Sequence, residues 1–143
     1  MTRIDFYSLQ EGSRGDRFLL SCRLAERIYQ EGKRLYIHVP DAAEREHLDR
    51  LLWTYRDRSF LPHGLAGQAD PDLTPILLGE GTHLPEAPQV LINLDREIPE
   101  FFSSFQRLCE PIDLDPEIRQ AGRERYRRYG QQGYERFHHA LLL

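Results

Sequence analysis

Two short stretches near the start of the chain alternate between apolar and polar residues. Ile4 and Phe6 alternate with polar neighbours at the start of residues 3–9, and three apolar side chains alternate in the same way in residues 35–39. A period of two is typical of β-strands, whose successive side chains point to opposite faces. Both stretches are therefore predicted to be strands, and Pro40 is predicted to end the second.

Between these strands the apolar spacing becomes that of an α-helix. From Asp16 to Gly32, residues three and four apart form one apolar stripe, and glycine is a common helix terminator. After the second strand, residues 41–44 (Asp-Ala-Ala-Glu) have the form of a capping box. They are predicted to open a second helix, whose apolar face contains Leu48, Leu51, Leu52 and Tyr55.

The middle of the chain has a less regular pattern. Residues 56–88 are rich in proline and glycine and are predicted to hold one or two short strands, one of them near residues 76–78. Residues 89–94 and 107–112 are apolar runs that are predicted to be strands. A short helix is predicted between them, over residues 98–105.

The last predicted helix has a clear start. Asp115 is a good cap residue and Pro116 suits the first helical position, so a helix is predicted from here to about Gly130. His138 and His139 follow it and are predicted to lie in a mobile, solvated C-terminal tail.

Strands that alternate with helices indicate an α/β fold. We predict an open, mostly parallel sheet with helices on both faces. The sequence shows no internal repeat, low-complexity tract or linker, so residues 1–143 are predicted to form a single domain.

Composition narrows the choice of function. The formal net charge is −4 over 143 residues, which argues against a general nucleic-acid binder, since such proteins usually carry a positive excess. The two cysteines, Cys22 and Cys109, lie in apolar stretches and are predicted to be buried thiols. No signal peptide or apolar run of membrane-spanning length is present, and we expect a cytoplasmic protein that does not contact a membrane.

The chain lacks the local motifs of nucleotide binding and catalysis. Residues 12–16 follow the first strand, where a phosphate loop would lie, but they lack the Lys-Ser/Thr pair of that loop. Residues 79–81 (Gly-Glu-Gly) have no helix behind them, as a dinucleotide site would require. The histidines form no metal-ligand spacing, and we expect no cofactor, no metal site and no catalytic residue.

The last helix presents a candidate binding surface. Residues three and four apart share a helix face, so one stripe contains Arg119, Arg123, Tyr126 and Arg127. Guanidinium groups recognise carboxylates in a forked geometry, and the tyrosine ring adds an apolar wall. The surface suits an acidic peptide with an apolar end group, or a nucleic-acid strand whose bases stack on Tyr126. A solvated helix whose charge is partly offset by Glu124 explains the same pattern without any ligand.

A second candidate surface lies between Trp53 and Gly67. This segment contains tryptophan, phenylalanine, leucine and proline in an irregular region, and aromatic anchors are enriched in protein interfaces. Packing of the segment against the sheet edge is the alternative explanation.

Several short motifs, taken together and in order, resemble the chi subunit family of DNA polymerase III. The resemblance covers nearly the whole chain. The motifs are Ile4-Asp5-Phe6-Tyr7, Gly32-Lys33-Arg34, Leu52-Trp53, Ser59-Phe60-Leu61-Pro62-His63, Leu65-Ala66-Gly67, Arg123-Glu124-Arg125-Tyr126 and Gly133-Tyr134.

The resemblance implies a non-catalytic adaptor that binds single-stranded DNA-binding protein. The family binds the acidic tail of that protein, which ends in phenylalanine with a free carboxylate. By resemblance, Arg123 holds this carboxylate, Tyr126 walls the pocket for the ring, and Arg119 and Arg127 attract the aspartates of the tail. Nucleic acid is then contacted only indirectly.

The resemblance also implies a contact with the clamp loader. Some members of the family bind a small psi subunit, which links them to the clamp loader. By resemblance, that surface consists of Trp53, Phe60, Pro62, His63 and Leu65.

Overall fold

The computed structural model describes residues 1–55 and 61–143, which form one parallel β-sheet covered by helices. Phe60 lies outside the described residues. The strands are β1 (Arg3–Leu9), β2 (Leu35–His38), β3 (His63–Leu65), β4 (Ile76–Gly79), β5 (Val90–Asn93), β6 (Arg107–Ile112) and β7 (Arg136–Leu141). The helices are α1 (Arg17–Gln30), α2 (Ala42–Thr54) and α3 (Pro116–Gln131), and a single 3₁₀ turn spans Phe102–Ser104.

The sheet has the strand order β3-β4-β2-β5-β6-β1-β7, and every described pairing is parallel. One face packs against α1 and α2, where Cys22, Leu48 and Leu52 join Ile37 and Ile92 in the core. The other face packs against α3. The predicted open α/β sheet with helices on both faces is therefore confirmed.

The first helix begins after Asp16, where the change of apolar spacing predicted it. Asp16 Oδ1 accepts from the amides of Phe18 and Leu19, both at 3.0 Å, and Asp113 Oδ2 accepts from the Arg17 amide at 2.9 Å. In nucleotide-binding folds these first amides face phosphate. Here they already have two carboxylate partners, whose negative charge disfavours a phosphate at the same place.

The second helix begins with half of the predicted capping box. Asp41 Oδ1 accepts from the Glu44 amide at 2.9 Å. The Glu44 carboxylate does not return to Asp41 but forms an ion pair with Arg17 of α1, at 2.5 Å. The tertiary partner thus replaces the local hydrogen bond and links the two helices on this face.

The prediction of a helix over residues 98–105 is wrong. Only the 3₁₀ turn at Phe102–Ser104 is helical, and Phe105 returns to an extended backbone. Phe101 and Phe105 both contact the ring of buried Tyr36, with centroids 6.2 and 6.3 Å away. Phe105 is extended because the chain enters β6 two residues later, so strand pairing overrides the local apolar spacing.

The prediction of a mobile C-terminal tail is also wrong. Residues 136–141 form β7, which pairs in parallel with β1 at the margin of the sheet. His139 Nε2 lies 2.8 Å from Asp5 Oδ1, and His138 Nε2 lies 2.9 Å from Ser8 Oγ. These partners are about 130 residues away along the chain, so no local pattern reveals them.

The two thiols are buried as predicted, and neither forms a disulfide. Burial raises the pKa of both Cys22 and Cys109 to about 12.

Among the described helices, none combines the length and apolarity needed to span a bilayer. The described residues also contain no group of three or more histidine, cysteine or acidic side chains placed to hold a metal ion.

Candidate functional site

A cavity of about 360 Å³ lies between α3 and the β1–β7 side of the sheet, and we call it the α3 pocket. This volume falls within the range of small-ligand sites, roughly 300–1,000 Å³. The floor is apolar and the rim is basic. The lining residues are Phe6 and Ser8 of β1, Ile112 of β6, Arg119, Gly122, Arg123 and Tyr126 of α3, and His138 of β7.

Three of the four residues predicted on α3 meet at this pocket. Arg119, Arg123 and Tyr126 all line it, whereas Arg127 does not. Arg127 instead forms an ion pair with Glu124, which is also 3.5 Å from Arg128. The hydrogen bond from Arg127 lowers the pKa of Glu124. The charge compensation by Glu124 that the sequence suggested therefore applies to Arg127 and Arg128, and the described ion pairs of Glu124 do not include Arg119 or Arg123.

The two pocket arginines have no acidic partner within the described ranges of the chain. Arg123 Nη1 donates to the Gln120 side chain at 3.3 Å, and the ion pairs of α3 involve other arginines. Two guanidinium groups that lie unpaired beside an apolar floor form a site for a carboxylate attached to an apolar group.

The Tyr126 ring is held by contacts on both sides. Phe6 meets it edge to face with centroids 5.1 Å apart. The guanidinium of Arg136 lies 4.3 Å from the ring centroid, and Arg136 Nη1 donates to Tyr126 O at 3.0 Å. The ring is 37% exposed, so a fixed aromatic surface remains open to the pocket.

Gly122 allows α3 to lie close to the sheet. A Cβ at this position would be 2.6 Å from Cδ1 of Ile112, which is much too close for a real contact. The space that the absent side chain leaves is taken by Ile112, which forms part of the pocket floor.

A buried ionic cluster fixes the rotation of α3. Arg125 Nε donates to Glu110 Oε2 at 3.0 Å, and the Tyr129 hydroxyl donates to the same oxygen at 2.7 Å. Asn93 Nδ2 donates to both carboxylate oxygens. Burial, together with the neighbouring Glu110 charge, raises the pKa of Tyr129 well above its usual value. Because Arg125 and Tyr129 are pinned inward, the pocket residues on the adjacent stripe must face the groove beside β1 and β7.

Sequence reasoning missed five residues that build or brace this site. Phe6, Ser8 and Ile112 supply the floor, and their alternation along predicted strands was the available signal. Glu110 is a charged residue inside the apolar run 108–112, which is a signal for a buried partner. His138 had no usable signal, since its strand pairs with residues near the opposite end of the chain.

The second predicted surface lies at the other margin of the sheet, on β3 and the end of α2. Trp53 is 54% exposed, and its ring lies 4.6 Å from that of His63. His63 Nδ1 is 2.6 Å from Leu61 O, and its Nε2 is 3.2 Å from Asp49 O. Pro62 and Leu65 are half-buried beside them. We call Trp53, Pro62 and Leu65 the Trp53 surface. The His63 side chain, which was predicted to belong to it, is fully buried beside them, and the predicted Phe60 lies outside the described residues.

The two surfaces are separated by the whole width of the sheet. β3 and β7 are its two outermost strands, six strand spacings apart. At about 4.8 Å per spacing this separation is roughly 29 Å. A ligand in one site therefore leaves the other accessible.

Comparison with known proteins agrees with the sequence motifs. Residues 1–136 match the family model described as DNA polymerase III chi subunit, HolC. The DNA polymerase III subunit chi of Pseudomonas aeruginosa is 40% identical over 141 residues, which cover 99% of this chain and 98% of that protein. The Haemophilus influenzae subunit chi is 32% identical over 130 residues, covering 90% of both chains, and the Escherichia coli subunit is 28% identical over 116 residues, covering 80% of this chain and 79% of that protein. From the extent of these matches and their agreement with the fold, this chain belongs to the DNA polymerase III chi subunit family.

Proposed function

We propose that this chain is a non-catalytic adaptor that joins single-stranded DNA-binding protein to the clamp-loader side of the bacterial replicase. The α3 pocket binds the acidic C-terminal tail of the DNA-binding protein, and the Trp53 surface faces the replicase. The observation that carries the proposal is the pair Arg119 and Arg123, without acidic partners among the described residues, beside the fixed ring of Tyr126.

The pocket matches the chemistry of a chain end that carries an aromatic side chain. Phe6, Ile112 and Tyr126 offer apolar surface to the terminal ring. Arg123 and Arg119 stand at the rim, where a terminal carboxylate and the aspartates before it would meet positive charge. Because part of this attraction is exposed to solvent, binding should weaken as salt is added.

The separation of the two surfaces supports the adaptor role. The α3 pocket and the Trp53 surface lie towards opposite margins of the sheet, so both can bind a partner at once. Two modest contacts that are joined in this way raise the local concentration of each partner and lengthen the residence of the complex. A psi-type subunit is the proposed partner at the Trp53 surface.

A pull-down with the host's single-stranded DNA-binding protein tests the proposal directly. We expect capture of the full-length protein and loss of capture when its last few residues are removed. Equal capture of both forms would contradict tail recognition.

Fluorescence anisotropy separates this function from direct binding of nucleic acid. We expect the chain to bind a labelled tail peptide and to leave a labelled bare oligonucleotide unbound at moderate salt. Tighter binding of the oligonucleotide than of the peptide would favour a nucleic-acid-binding module that stacks bases on Tyr126.

A further inference from the structure

The outer edge of β7 is unpaired in the part of the chain that the structure describes. β7 is the last strand of the sheet and pairs with no described strand other than β1. The Gln10 amide donates to Leu141 O at 2.8 Å, and a parallel ladder repeats this pattern every two residues. The odd-numbered residues of β7 therefore bond to β1, while Arg136, His138 and Ala140 turn their N–H and C=O groups outward.

This edge is continuous with the α3 pocket. His138 belongs to both, because its side chain lines the pocket while its backbone faces outward. Arg136 lies over the ring of Tyr126 at the same border. The distance from β1 at the pocket floor to the outer edge of β7 is about two strand spacings, or roughly 10 Å. About three extended residues span that distance.

The charges around this edge favour an acidic chain. Arg136 and His138 lie on the pocket face of β7, and Arg3 covers the Phe137 ring on the other face at 4.2 Å. The nearby carboxylate of Asp5 is fully buried and paired with both Arg3 and Arg107, so it presents no net negative charge. Apart from the exposed Glu135 directly before the strand, the charged side chains that lie beside the outward backbone groups are Arg3 and Arg136.

The edge also lacks three of the features that commonly prevent a further strand from pairing with a sheet, namely lysine, proline and a β-bulge. Proteins often protect such edges with lysine, proline or a bulge. The β7 sequence Arg-Phe-His-His-Ala-Leu contains neither lysine nor proline, and it pairs with β1 without a break in register. Ala140 is exposed and small, so another backbone can approach closely.

We propose that an acidic peptide anchored by its end in the α3 pocket continues as an added β-strand along the outer edge of β7. This inference rests on the proposed function above and extends its binding site from a pocket to a strand. The backbone groups of Arg136, His138 and Ala140 bond to the peptide backbone, which supplies affinity that does not depend on the peptide's side chains.

Backbone methylation of the peptide tests the added strand. The probe is a synthetic acidic peptide that ends in phenylalanine, with two derivatives that carry N-methyl groups at alternate upstream residues. We expect one derivative to bind about 5- to 10-fold more weakly, since its methyl groups replace the inward N–H donors, and the other to bind within about twofold of the parent. Unchanged affinity of both derivatives would overturn the proposal.

Amide hydrogen exchange measured by NMR gives a second, independent readout. With saturating peptide, we expect amide exchange at Arg136, His138 and Ala140 to slow at least about tenfold. A tenfold change corresponds to about 1.4 kcal/mol, which is close to the contribution of one hydrogen bond between uncharged groups. The amides of His139 and Leu141, which already bond to β1, serve as the internal control. Protection of the outward amides without peptide, rising with protein concentration, would show that a second copy of the chain occupies the edge and would overturn the proposal.

The two proposals fail in different ways. If the peptide binds, and Arg123→Ala weakens it, but the outward amides are not protected, only the added strand is wrong. If the peptide does not bind at all, the tail-binding function itself is wrong.

Discussion

Arg125 of α3 and Glu110 of β6 form an ion pair in the core, with Nε and Oε2 3.0 Å apart. Both side chains are almost completely excluded from solvent. The pair is completed by the Tyr129 hydroxyl and the Asn93 amide, which satisfy the remaining carboxylate lone pairs. Such a cluster has few alternative arrangements, because any rotation of α3 leaves a buried charge without a partner. It thereby determines which α3 side chains line the pocket.

Removal of the Tyr129 hydroxyl should destabilise the fold. Tyr129→Phe deletes a hydrogen bond to the buried Glu110 carboxylate, and we expect the free energy of unfolding to fall by about 1.5–3 kcal/mol. Urea denaturation followed by circular dichroism measures this change. The matched control is Tyr134→Phe, since the Tyr134 hydroxyl makes no hydrogen bond within the described residues. Equal stability of the two variants would show that the Glu110 cluster does not anchor α3.

Loss of a pocket arginine should weaken binding of the tail peptide to the α3 pocket. Arg123→Ala is expected to cost at least about 1 kcal/mol, or fivefold in affinity, because a charged hydrogen bond to the terminal carboxylate is lost. Isothermal titration calorimetry measures the effect. Arg128→Ala removes the same charge from the same helix, but outside the pocket, and should change affinity less than twofold. A similar loss in both variants would mean that only long-range charge matters.

Arg127 should contribute much less than its position in the sequence suggests. Its guanidinium is paired with Glu124 and is not part of the pocket lining. We expect Arg127→Ala to change peptide affinity less than twofold at physiological salt, where the Debye length is about 8 Å. The same titration as for Arg123→Ala checks this. A loss as large as that of Arg123→Ala would place Arg127 in contact with the peptide.

Because α3 packs closely on the sheet, substitutions at Gly122 and Ile112 should have non-additive effects on the free energy of unfolding. Gly122→Ala favours the helix by about 1 kcal/mol in propensity but pushes a Cβ against Cδ1 of Ile112. We expect overpacking to win, with a net loss of stability of about 1 kcal/mol. Ile112→Val removes Cδ1, so the double variant should recover most of this loss. Denaturation of the two single variants and the double variant gives the coupling free energy, and additive effects would contradict the predicted clash.

Stability should decline at alkaline pH because of the two buried thiols. The pKa of Cys22 and of Cys109 is about 12 in the folded chain, against 9.0 for an ordinary thiol. Between pH 9 and 12 the unfolded chain therefore releases protons that the folded chain keeps, and stability falls as pH rises. The slope is at most about 1.4 kcal/mol per pH unit for each thiol. Thermal denaturation across this range should be less pH-dependent in the Cys22→Ala/Cys109→Ala variant; an unchanged slope would contradict the assignment.

Much of the framework follows from local patterns. Alternation marked β1 and β2, and the carboxylates Asp16, Asp41 and Asp115 marked helix starts that the structure confirms. The helical spacing of Arg119, Arg123 and Tyr126 also placed them on one surface. These features depend on residues a few positions apart, and backbone geometry alone relates such residues.

The sequence by itself thus determined the three α-helices, most of the strands, the mostly parallel α/β architecture and the arginine–tyrosine stripe of α3. Only the tertiary structure decided that Arg127 pairs with Glu124 away from the pocket, that Ile112 fills the space beside Gly122, and that residues 136–141 form the edge strand. Each of these depends on which distant segments meet, and side-chain packing and unpaired backbone groups select those partners. The residue types on α3 can be read from the local sequence, whereas the shape of the pocket depends on how β1, β6 and β7 pack beside the helix.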